Sequence, residues 1–305
     1  MGRSIVPKVS SGRVQHSASS ALYRKNLATL LQMTHAISSI FGGALLSSVS
    51  LVSPHAAELD QFDLVYVPAG IAQVGDSNGD DNEVVENRKI GAFHIMRHEV
   101  TNDQFATFVS ATGHKTNPEQ SGRGYVWWLK WRLVDGADWR HPQGPQSTIE
   151  GLGNHPVVQV SARDADAFCA HYGMRLPTDP EWEYAARGSD GRRYPWGNVK
   201  FGAAGLRQAN AGTIKCCGAD GEDGHVRTSP VGRYPMGRSP FGLFDMAGNV
   251  WEWTSSTFPG HPEWRTLKGG GWGNDPYCLR AAYRHGNRPV TALDMVGFRC
   301  VADVK

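Results

Sequence analysis

The sequence predicts one α+β domain over residues 60–305, in which short helices and short strands are joined by many turns. Its composition is the first reason, because the 305-residue chain contains 36 glycines, 17 prolines and 10 tryptophans. Glycine and proline interrupt regular structure, whereas tryptophan supplies a large buried surface. The second reason is that neither an internal repeat nor a low-complexity linker divides residues 60–305. We therefore expect a loop-rich fold with low regular secondary structure.

Residues 1–57 have the composition of an export segment. They contain five basic residues and no acidic residue. A run rich in apolar and small residues follows from Leu27 to Val52, and a polar sequence begins after Ala57. We expect residues 1–57 to be a signal peptide or N-terminal export segment, which makes the protein periplasmic or secreted. An uncleaved membrane anchor or a disordered tail is the alternative.

The charge of the remaining residues excludes one class of partner. Without the first 57 residues, the chain carries 26 basic against 29 acidic residues. Lysine and arginine form no stripe along this sequence, and such a stripe supplies the phosphate contacts of nucleic-acid binding. We expect a monomer that binds no nucleic acid and contacts no membrane beyond the export segment.

Two strands are predicted near the start of the domain, over residues 64–68 and 89–100, with a turn at Gly70 behind the first. The acidic segment 76–86 lies between them. Its alternating acidic and amide residues are typical of a calcium loop, but the turn glycine and the closing glutamate are missing. We expect this segment to be a solvated loop.

Three short helices are predicted from capping residues. Gln104 and Glu181 stand three residues after a threonine, as in a capping box, and Pro180 lies in a first helical turn, where its missing N–H costs little. From Tyr194 onward, turn residues are so dense that long elements are excluded. The helices are expected to begin after Thr101, Ser161 and Thr178 and to end at Gly113, Gly173 and Gly188.

Several sequence motifs are spread in order over residues 99–299. They include Glu99-Val100-Thr101-Asn102, His155-Pro156-Val157-Val158, Arg175-Leu176-Pro177-Thr178, Tyr194-Pro195-Trp196-Gly197-Asn198, the stretch FGLFDMAGNVWEW at residues 241–253, and Gly297-Phe298-Arg299. Together they resemble the motifs of the formylglycine-generating (sulfatase-modifying factor) family. The resemblance implies the C-type-lectin-like α+β fold of that family.

The stretch at residues 241–253 offers hard oxygen ligands. Asp245 and Glu252 supply carboxylates, and the glycine between them permits a turn. Carboxylate and carbonyl oxygens suit calcium. The resemblance implies a structural calcium site formed by Asp245, Glu252 and the carbonyls of Gly248 and Val250. The alternative is that these acids only cap turns.

A second calcium site is implied by the same resemblance. The acidic turn Gly221-Glu222-Asp223-Gly224 matches a turn of the family. The implied ligands are Asn210, the carbonyl of Ala211, Asp223 and the carbonyl of His225. Turn capping by hydrogen bonds is again the alternative.

The chain has five cysteines, which is compatible with an oxidising compartment. The resemblance implies a structural disulfide between Cys169 and Cys300. Two buried thiols are the alternative. Because the count is odd, at least one of the five thiols is unpaired or paired with another molecule.

The catalytic equipment of the family is incomplete in this sequence. The resemblance implies a pair of cysteines, Cys-x-x-x-x-Cys, that binds copper(I) and uses O2 to convert a substrate cysteine to formylglycine. The matching stretch retains only the second cysteine, Cys278, which remains the candidate catalytic residue. Asn274 stands near the place of the first cysteine, Gly271 near that of a serine, and Met295 at that of an asparagine. Asparagine cannot replace thiolate on copper(I), so copper and the oxidase activity are doubtful.

Cys216 and Cys217 have no counterpart in the family pattern. Adjacent cysteines pair poorly with each other, so one of them could pair with Cys278. A disulfide, free thiols and a copper site all stay open for Cys278.

A substrate-binding groove is implied where the family binds its peptide. Packing in the core is the alternative for its two tryptophans. The implied residues are Trp251, Trp272, Asn274, Tyr277, Cys278 and Arg284.

Three functions are compatible with these observations. The first is an exported maturation or accessory protein that acts on a secreted protein or peptide. The second is a genuine formylglycine-generating oxidase with rearranged thiols, and the third is a calcium-stabilised binding module without chemistry. Whether the protein is an enzyme stays open, since fold does not decide function. The sequence contains no metalloprotease HExxH motif, nucleophile elbow, phosphate loop or dinucleotide fingerprint.

Overall fold

The computed structural model describes residues 59–212, Gly218 and residues 221–304. The export segment predicted over residues 1–57 and the Cys216-Cys217 pair lie outside the described residues. In the described part, no helix is both long enough and apolar enough to cross a bilayer.

Within residues 59–212 and 221–304, short strands form four small sheets. One sheet has the antiparallel order β1-β4-β11, and another has the order β10-β7-β8-β9, in which β10 is parallel to β7. The pairs β2–β3 and β5–β6 are hairpins. The strands are β1 (Leu64–Val67), β2 (Gly70–Val74), β3 (Glu86–Ile90), β4 (Phe93–Met96), β5 (Arg123–Trp127), β6 (Trp131–Asp135), β7 (Trp251–Phe258), β8 (His261–Lys268), β9 (His285–Asn287), β10 (Val296–Gly297) and β11 (Val301–Asp303).

Four α-helices lie among these strands in the described part of the chain, and all four begin with a capping box. The helices are α1 (Asn102–Thr112), α2 (Asn117–Ser121), α3 (Ala162–His171) and α4 (Asp179–Arg187). The starts of α1, α3 and α4 confirm the prediction. Gly113 and Gly188 end α1 and α4 as predicted, whereas α3 ends at Tyr172, one residue before Gly173.

Helix α2 was not predicted, although its signal is local. Thr116 accepts a hydrogen bond from the backbone of Glu119, and the Glu119 side chain accepts one from the Thr116 backbone. Pro118 lies in the first turn and Gly122 ends the helix in the left-handed conformation. The described helices and strands are mostly short and are joined by many turns, so the predicted loop-rich α+β fold is confirmed.

The strand predictions are wrong in three places. The strand predicted over residues 89–100 is divided into β3 and β4, which belong to different sheets and are separated by residues 91 and 92. Gly70 begins β2 rather than forming a turn. The prediction of no long element after Tyr194 is also wrong, since β7 and β8 are eight residues each.

The acidic segment 76–86 is not simply solvated. The Glu83 side chain is buried and its carboxylate accepts two hydrogen bonds from Arg280, at 2.7 and 2.8 Å. Asp76 accepts a third from the same guanidinium at 3.1 Å. Arg280 lies 197 residues away from Glu83 in the chain, so a local sequence pattern could not predict this ion pair.

The largest core is aromatic and surrounds the end of the chain. Phe105, Phe168 and Phe298 pack with ring centroids 5.3 to 6.4 Å apart. Beside them Cys169 and Cys300 form the predicted disulfide, with a Cα–Cα distance of 5.7 Å. In the chain-entropy model, closing a loop of 131 residues stabilises the fold by about 4 to 5 kcal/mol.

Candidate functional site

The segment that follows β8 forms a tight loop at the place of the family's catalytic cysteines. Gly269 and Gly270 both have positive φ, which lets the chain leave the strand abruptly. The Gly271 N–H donates to the Asn274 side chain, and the Asn274 N–H donates to the Gly271 carbonyl, both at 2.9 Å. The Cys278 N–H donates to the carbonyl of Asp275 at 3.1 Å. Asn274 therefore closes the turn that presents Cys278.

Two departures from the family pattern lie against each other, Gly271 in this loop and Met295 immediately before β10. A Cβ atom added at Gly271 would stand 2.4 Å from Cγ and 2.9 Å from Sδ of Met295. Real Cβ atoms do not approach other atoms so closely, so a serine at position 271 requires that Met295 move. The Met295 side chain therefore occupies the space in which a side chain at position 271 would begin.

A cavity of about 540 Å³ opens beside the loop. This volume lies in the range of ligand sites in proteins, and its walls are mostly aromatic and apolar. Trp251, Asn274 and Cys278, three of the residues predicted for the groove, form part of the wall. The other lining residues are Tyr125, Trp131, Trp264, Leu267, Tyr283, His285, Asn287, Arg288, Thr291, Leu293 and Val296.

The other three predicted groove residues lie outside the cavity lining. Trp272 is buried, and its indole N–H donates to the carbonyl of Asp294 at 3.2 Å. The Tyr277 hydroxyl donates to Asp80 at 2.6 Å. Arg284 is buried and pairs with Asp179 at 2.6 Å. These side chains support the surrounding loops through hydrogen bonds and ion pairs.

Cys278 is buried and lines the cavity. The residues that could pair with it, Cys216 and Cys217, are outside the described part of the chain. Its pairing therefore stays a prediction.

The hairpin of β5 and β6 forms a wall of the cavity that sequence reasoning missed. Cross-strand pairs place Tyr125 opposite Leu133 and Trp127 opposite Trp131 on one face of the hairpin. Tyr125 and Trp131 line the cavity. The alternation of aromatic and other residues from position 123 was a signal for the hairpin itself, although not for its place in the cavity wall.

Asp294 holds this hairpin to the segment that precedes β10. Its carboxylate accepts the Trp127 N–H at 3.2 Å, and its own N–H donates to the Tyr125 carbonyl at 3.0 Å. Arg227 pairs with the other carboxylate oxygen of Asp294 and lies over the ring of Trp272. Burial raises the pKa of Asp294 to about 7 despite that arginine.

The first predicted calcium site contains an excess of buried carboxylates. The Glu252 carboxylate accepts hydrogen bonds from Nε and Nη2 of Arg299, both at 2.7 Å. It accepts another from the Trp182 indole N–H at 2.8 Å. Asp245 accepts the Gly232 N–H at 2.6 Å. Burial raises the pKa of Asp245 to about 6.

Glu99 is a further carboxylate at this site. It was not predicted from the sequence, although it begins the motif Glu99-Val100-Thr101-Asn102. It is fully buried, and neither of its oxygens has a donor partner among the described residues. Burial, followed by the charge of Asp245, raises its pKa well above the ordinary value. The carboxyls of Glu99 and Asp245 can share a hydrogen bond only if one of them carries a proton. A bound cation would compensate their buried negative charge in the same way, so the residues fit a cation.

The residues of the second predicted site also lie together. The Asp223 carboxylate accepts the N–H groups of Ala211 and His225, at 3.1 and 2.9 Å. Asn210 donates its amide hydrogens to Arg227 and Asn249, while its buried side-chain oxygen has no partner in the described part. An unpaired amide oxygen beside a carboxylate fits a calcium ion. No three His, Cys, Asp or Glu side chains in residues 59–212 and 221–304 are arranged to hold a metal, so either site would need backbone carbonyls.

Comparisons with known proteins agree with the motifs. The family described as "Sulfatase-modifying factor enzyme 1-like domain" matches residues 49–304. The chain is 39% identical to a formylglycine-generating enzyme of Streptomyces coelicolor, covering 78% of this chain and 88% of that protein. It is 36% identical to a Bos taurus protein called "Inactive C-alpha-formylglycine-generating enzyme 2", covering 85% of this chain and 95% of that protein.

Solved structures with this fold are also similar. PvdO from Pseudomonas aeruginosa superimposes with a TM-score of 0.62 at 24% identity, covering 79% of this chain and 94% of that one. CarF superimposes with a TM-score of 0.53 at 23% identity, covering 80% and 99%. These likenesses concern the fold alone. Motifs, matched profile and identity over most of the chain together show that the protein belongs to the formylglycine-generating enzyme (sulfatase-modifying factor) family.

Proposed function

We propose that this protein is an exported maturation or accessory protein that binds a segment of another exported protein or peptide, and that it does not oxidise cysteine to formylglycine. The observation that carries the proposal is the cavity of about 540 Å³ with Asn274 in its wall near the place of the family's first catalytic cysteine. The site keeps room for a substrate, but the described loop offers one thiol instead of two.

The walls of the cavity support binding of an extended polypeptide segment. The aromatic residues Trp251, Tyr283 and Tyr125 are among those that line the open space. Aromatic rings give a large contact area with little loss of side-chain entropy. An apolar side chain of a partner would exchange water for these rings on entering the cavity.

The loop chemistry argues against copper-dependent oxidation. A cuprous ion prefers soft thiolate ligands, and the side-chain oxygen of Asn274 already accepts the Gly271 N–H. Met295 crowds the space in which a serine side chain at position 271 would begin. The Asn274 oxygen is already engaged in a turn, so it does not replace a second thiolate. The buried Met295 thioether does not replace the neighbouring serine.

Overall similarity does not choose between an oxidase and a binding protein. Relatives named as formylglycine-generating enzymes and relatives named as inactive have identities of 39% and 36% to this chain. The choice therefore depends on the residues of the loop.

An oxidase with rearranged thiols is the second candidate. Cys278 lines the cavity, so a thiol is available to a bound segment if it is not locked in a disulfide. Cys216 or Cys217 would have to supply the second sulfur.

Calcium would stabilise the fold in either case. Asp245, with Glu99 beside it and the carbonyls of Gly248 and Val250, would hold one ion; Glu252 would act mainly through its ion pair with Arg299. Asn210, Asp223 and the carbonyls of Ala211 and His225 would hold the other. A calcium ion there would neutralise buried carboxylates and fix loops.

Site-directed photocrosslinking in living cells tests the binding function. A photoreactive benzoylphenylalanine replaces Tyr125 in the cavity wall, and in the control protein it replaces Tyr66 on β1, which is 54% exposed. We expect a defined protein adduct from position 125 and none from position 66. Thr291→Trp, which fills the cavity from its wall, should abolish the adduct. Equal adducts from both positions, or none, would contradict the proposal.

A further inference from the structure

A second cavity of about 240 Å³ lies next to the first, along β5. The two cavities share Tyr125, Arg288 and Thr291 in their linings. The Thr291 N–H donates to the Arg288 carbonyl at 2.9 Å, so these residues form a turn at the junction. We call the two adjoining cavities, whose linings extend from Cys278 to Arg123, the Arg288 groove.

The charged side chains that line the Arg288 groove in the described part of the chain are positive. Among the described residues, Arg123 and Arg288 line it and no aspartate or glutamate does. Arg123 is 4.0 Å from Asp135, whose side chain is 93% exposed, so this pair is weak. The Arg288 guanidinium has no carboxylate within 4.0 Å in the described part of the chain. Both cations face the groove without strong compensation.

The part of the groove that the first cavity alone forms, which we call its inner end, is largely apolar by contrast. Its lining includes Trp251, Trp264, Tyr283, Leu267 and Val296 and contains no lysine, arginine, aspartate or glutamate. An apolar compartment beside a cationic rim is complementary to a chain segment that carries an aromatic or aliphatic side chain and, a few residues along, a carboxylate.

We propose that the Arg288 groove binds an extended acidic peptide segment of the partner protein. An apolar side chain of that segment fills the inner end, and an aspartate or glutamate pairs with Arg288 at the junction and faces Arg123 beyond it. This inference rests on the proposed function, because it names the chemistry of the segment that the cavity binds.

Salt and charge reversal should reveal this recognition. A rim charge acts over about a Debye length, near 10 Å at 0.1 M salt, so affinity should fall as ionic strength rises. Arg288→Glu turns attraction for a carboxylate into repulsion, whereas Arg288→Gln removes the attraction alone. The side chain is exposed, so neither change should disturb folding.

Selection from a random peptide display library tests the inference on the purified full-length protein. Selected sequences should be enriched in Asp and Glu near an aromatic or aliphatic residue. Synthetic peptides from the selection, acetylated and amidated, should bind at least about fivefold more weakly to Arg288→Glu at low salt, with Arg288→Gln between it and the wild type. A Glu-to-Lys version of each peptide should prefer Arg288→Glu. The control Lys89→Glu, which reverses an exposed charge on β3, should change nothing.

The outcomes separate the two proposals. Enriched peptides that lack acidic residues, or acidic peptides that ignore Arg288→Glu, would overturn the inference and leave the binding function standing. A selection that yields no peptide dependent on the open cavity, judged by loss of binding in Thr291→Trp, would overturn both.

Discussion

At the scale of single residues, the loop before Cys278 differs from the family pattern in a coupled way. Met295 Cγ lies where a side chain at position 271 would begin, and both residues are departures from that pattern. A sequence comparison records two separate changes. The structure shows that one accommodates the other.

We predict that this coupling appears in unfolding energies. Gly271→Ser should cost about 1 to 3 kcal/mol, since the new Cβ and hydroxyl overpack the Met295 side chain. Restoring the family pair with Gly271→Ser and Met295→Asn together should cost at least about 1 kcal/mol less than the sum of the single changes. Urea unfolding of the four proteins measures the cycle. Additive effects would show that the two positions are independent.

Asp294 gives a second residue-scale prediction, on pH. Burial raises its pKa from 3.8 to about 7, so the folded protein holds this proton more tightly than the unfolded chain. The Asp294 contribution to the free energy of unfolding is therefore complete below about pH 4 and is lost as pH rises towards 7.

Urea unfolding of the wild type and Asp294→Asn at several pH values from 4 to 8 measures this contribution. The difference between the two proteins should change by up to about 1.4 kcal/mol per pH unit within this window and level off above it. A difference that does not vary with pH would refute the raised pKa. Val126, a buried neighbour on β5, offers a control: Val126→Ala should lower stability equally at all pH values.

Elements were predictable where their signals are local. The capping boxes of α1, α3 and α4 lie within four residues of sequence, and Thr116 with Glu119 would have revealed α2 in the same way. Strand partners were not predictable, since β11 pairs with β4 from the far end of the chain. The division of the strand predicted at residues 89–100 depends on that pairing.

The segment from Asp245 to Glu252 carries the element-scale prediction, on calcium. If an ion binds only the folded protein, a concentration 100 times the Kd stabilises it by about 2.7 kcal/mol. Chelation should therefore lower the melting temperature, and readded calcium should restore it.

Variants locate the ion. Asp245→Asn and Asp223→Asn should each remove part of the response to chelation, because each takes a charge from one site. Glu252→Ala is unsuitable, since it would leave Arg299 buried without its carboxylate. Asp190→Asn, at an exposed acid paired with Arg192, is the matched control. A melt that chelation leaves unchanged would show that these carboxylates only serve turns and ion pairs.

At the scale of the whole molecule, the fold could be predicted and the site only in part. Motifs over most of the chain indicated the family and the Cys169–Cys300 disulfide, which the structure contains. Trp251, Asn274 and Cys278 were expected at the groove and line the cavity, whereas Trp272 and Arg284 are buried in supporting contacts outside its lining. Motif resemblance assigns positions, but it does not say which way a side chain faces.

The opposite wall of the cavity shows the same limit. Tyr125 and Trp131 reach it because the hairpin docks on Ala292 and Asp294, more than 160 residues further along the chain. The energy of this docking comes from hydrogen bonds and aromatic burial between distant segments. Local periodicity contains no information about such contacts.

This family member is proposed to bind a protein segment without generating formylglycine, and a peptide-oxidation assay can test the proposal. The purified full-length protein is incubated with copper, O2, a reductant and a sulfatase-derived peptide that contains one cysteine, and the peptide mass is followed. A formylglycine-generating enzyme of the family serves as the positive control. We expect that the peptide keeps its cysteine, because the loop lacks the preorganised thiolate pair that copper(I) requires. Conversion of the cysteine to the aldehyde, lost in Cys278→Ala, would contradict the account and establish an oxidase with rearranged thiols.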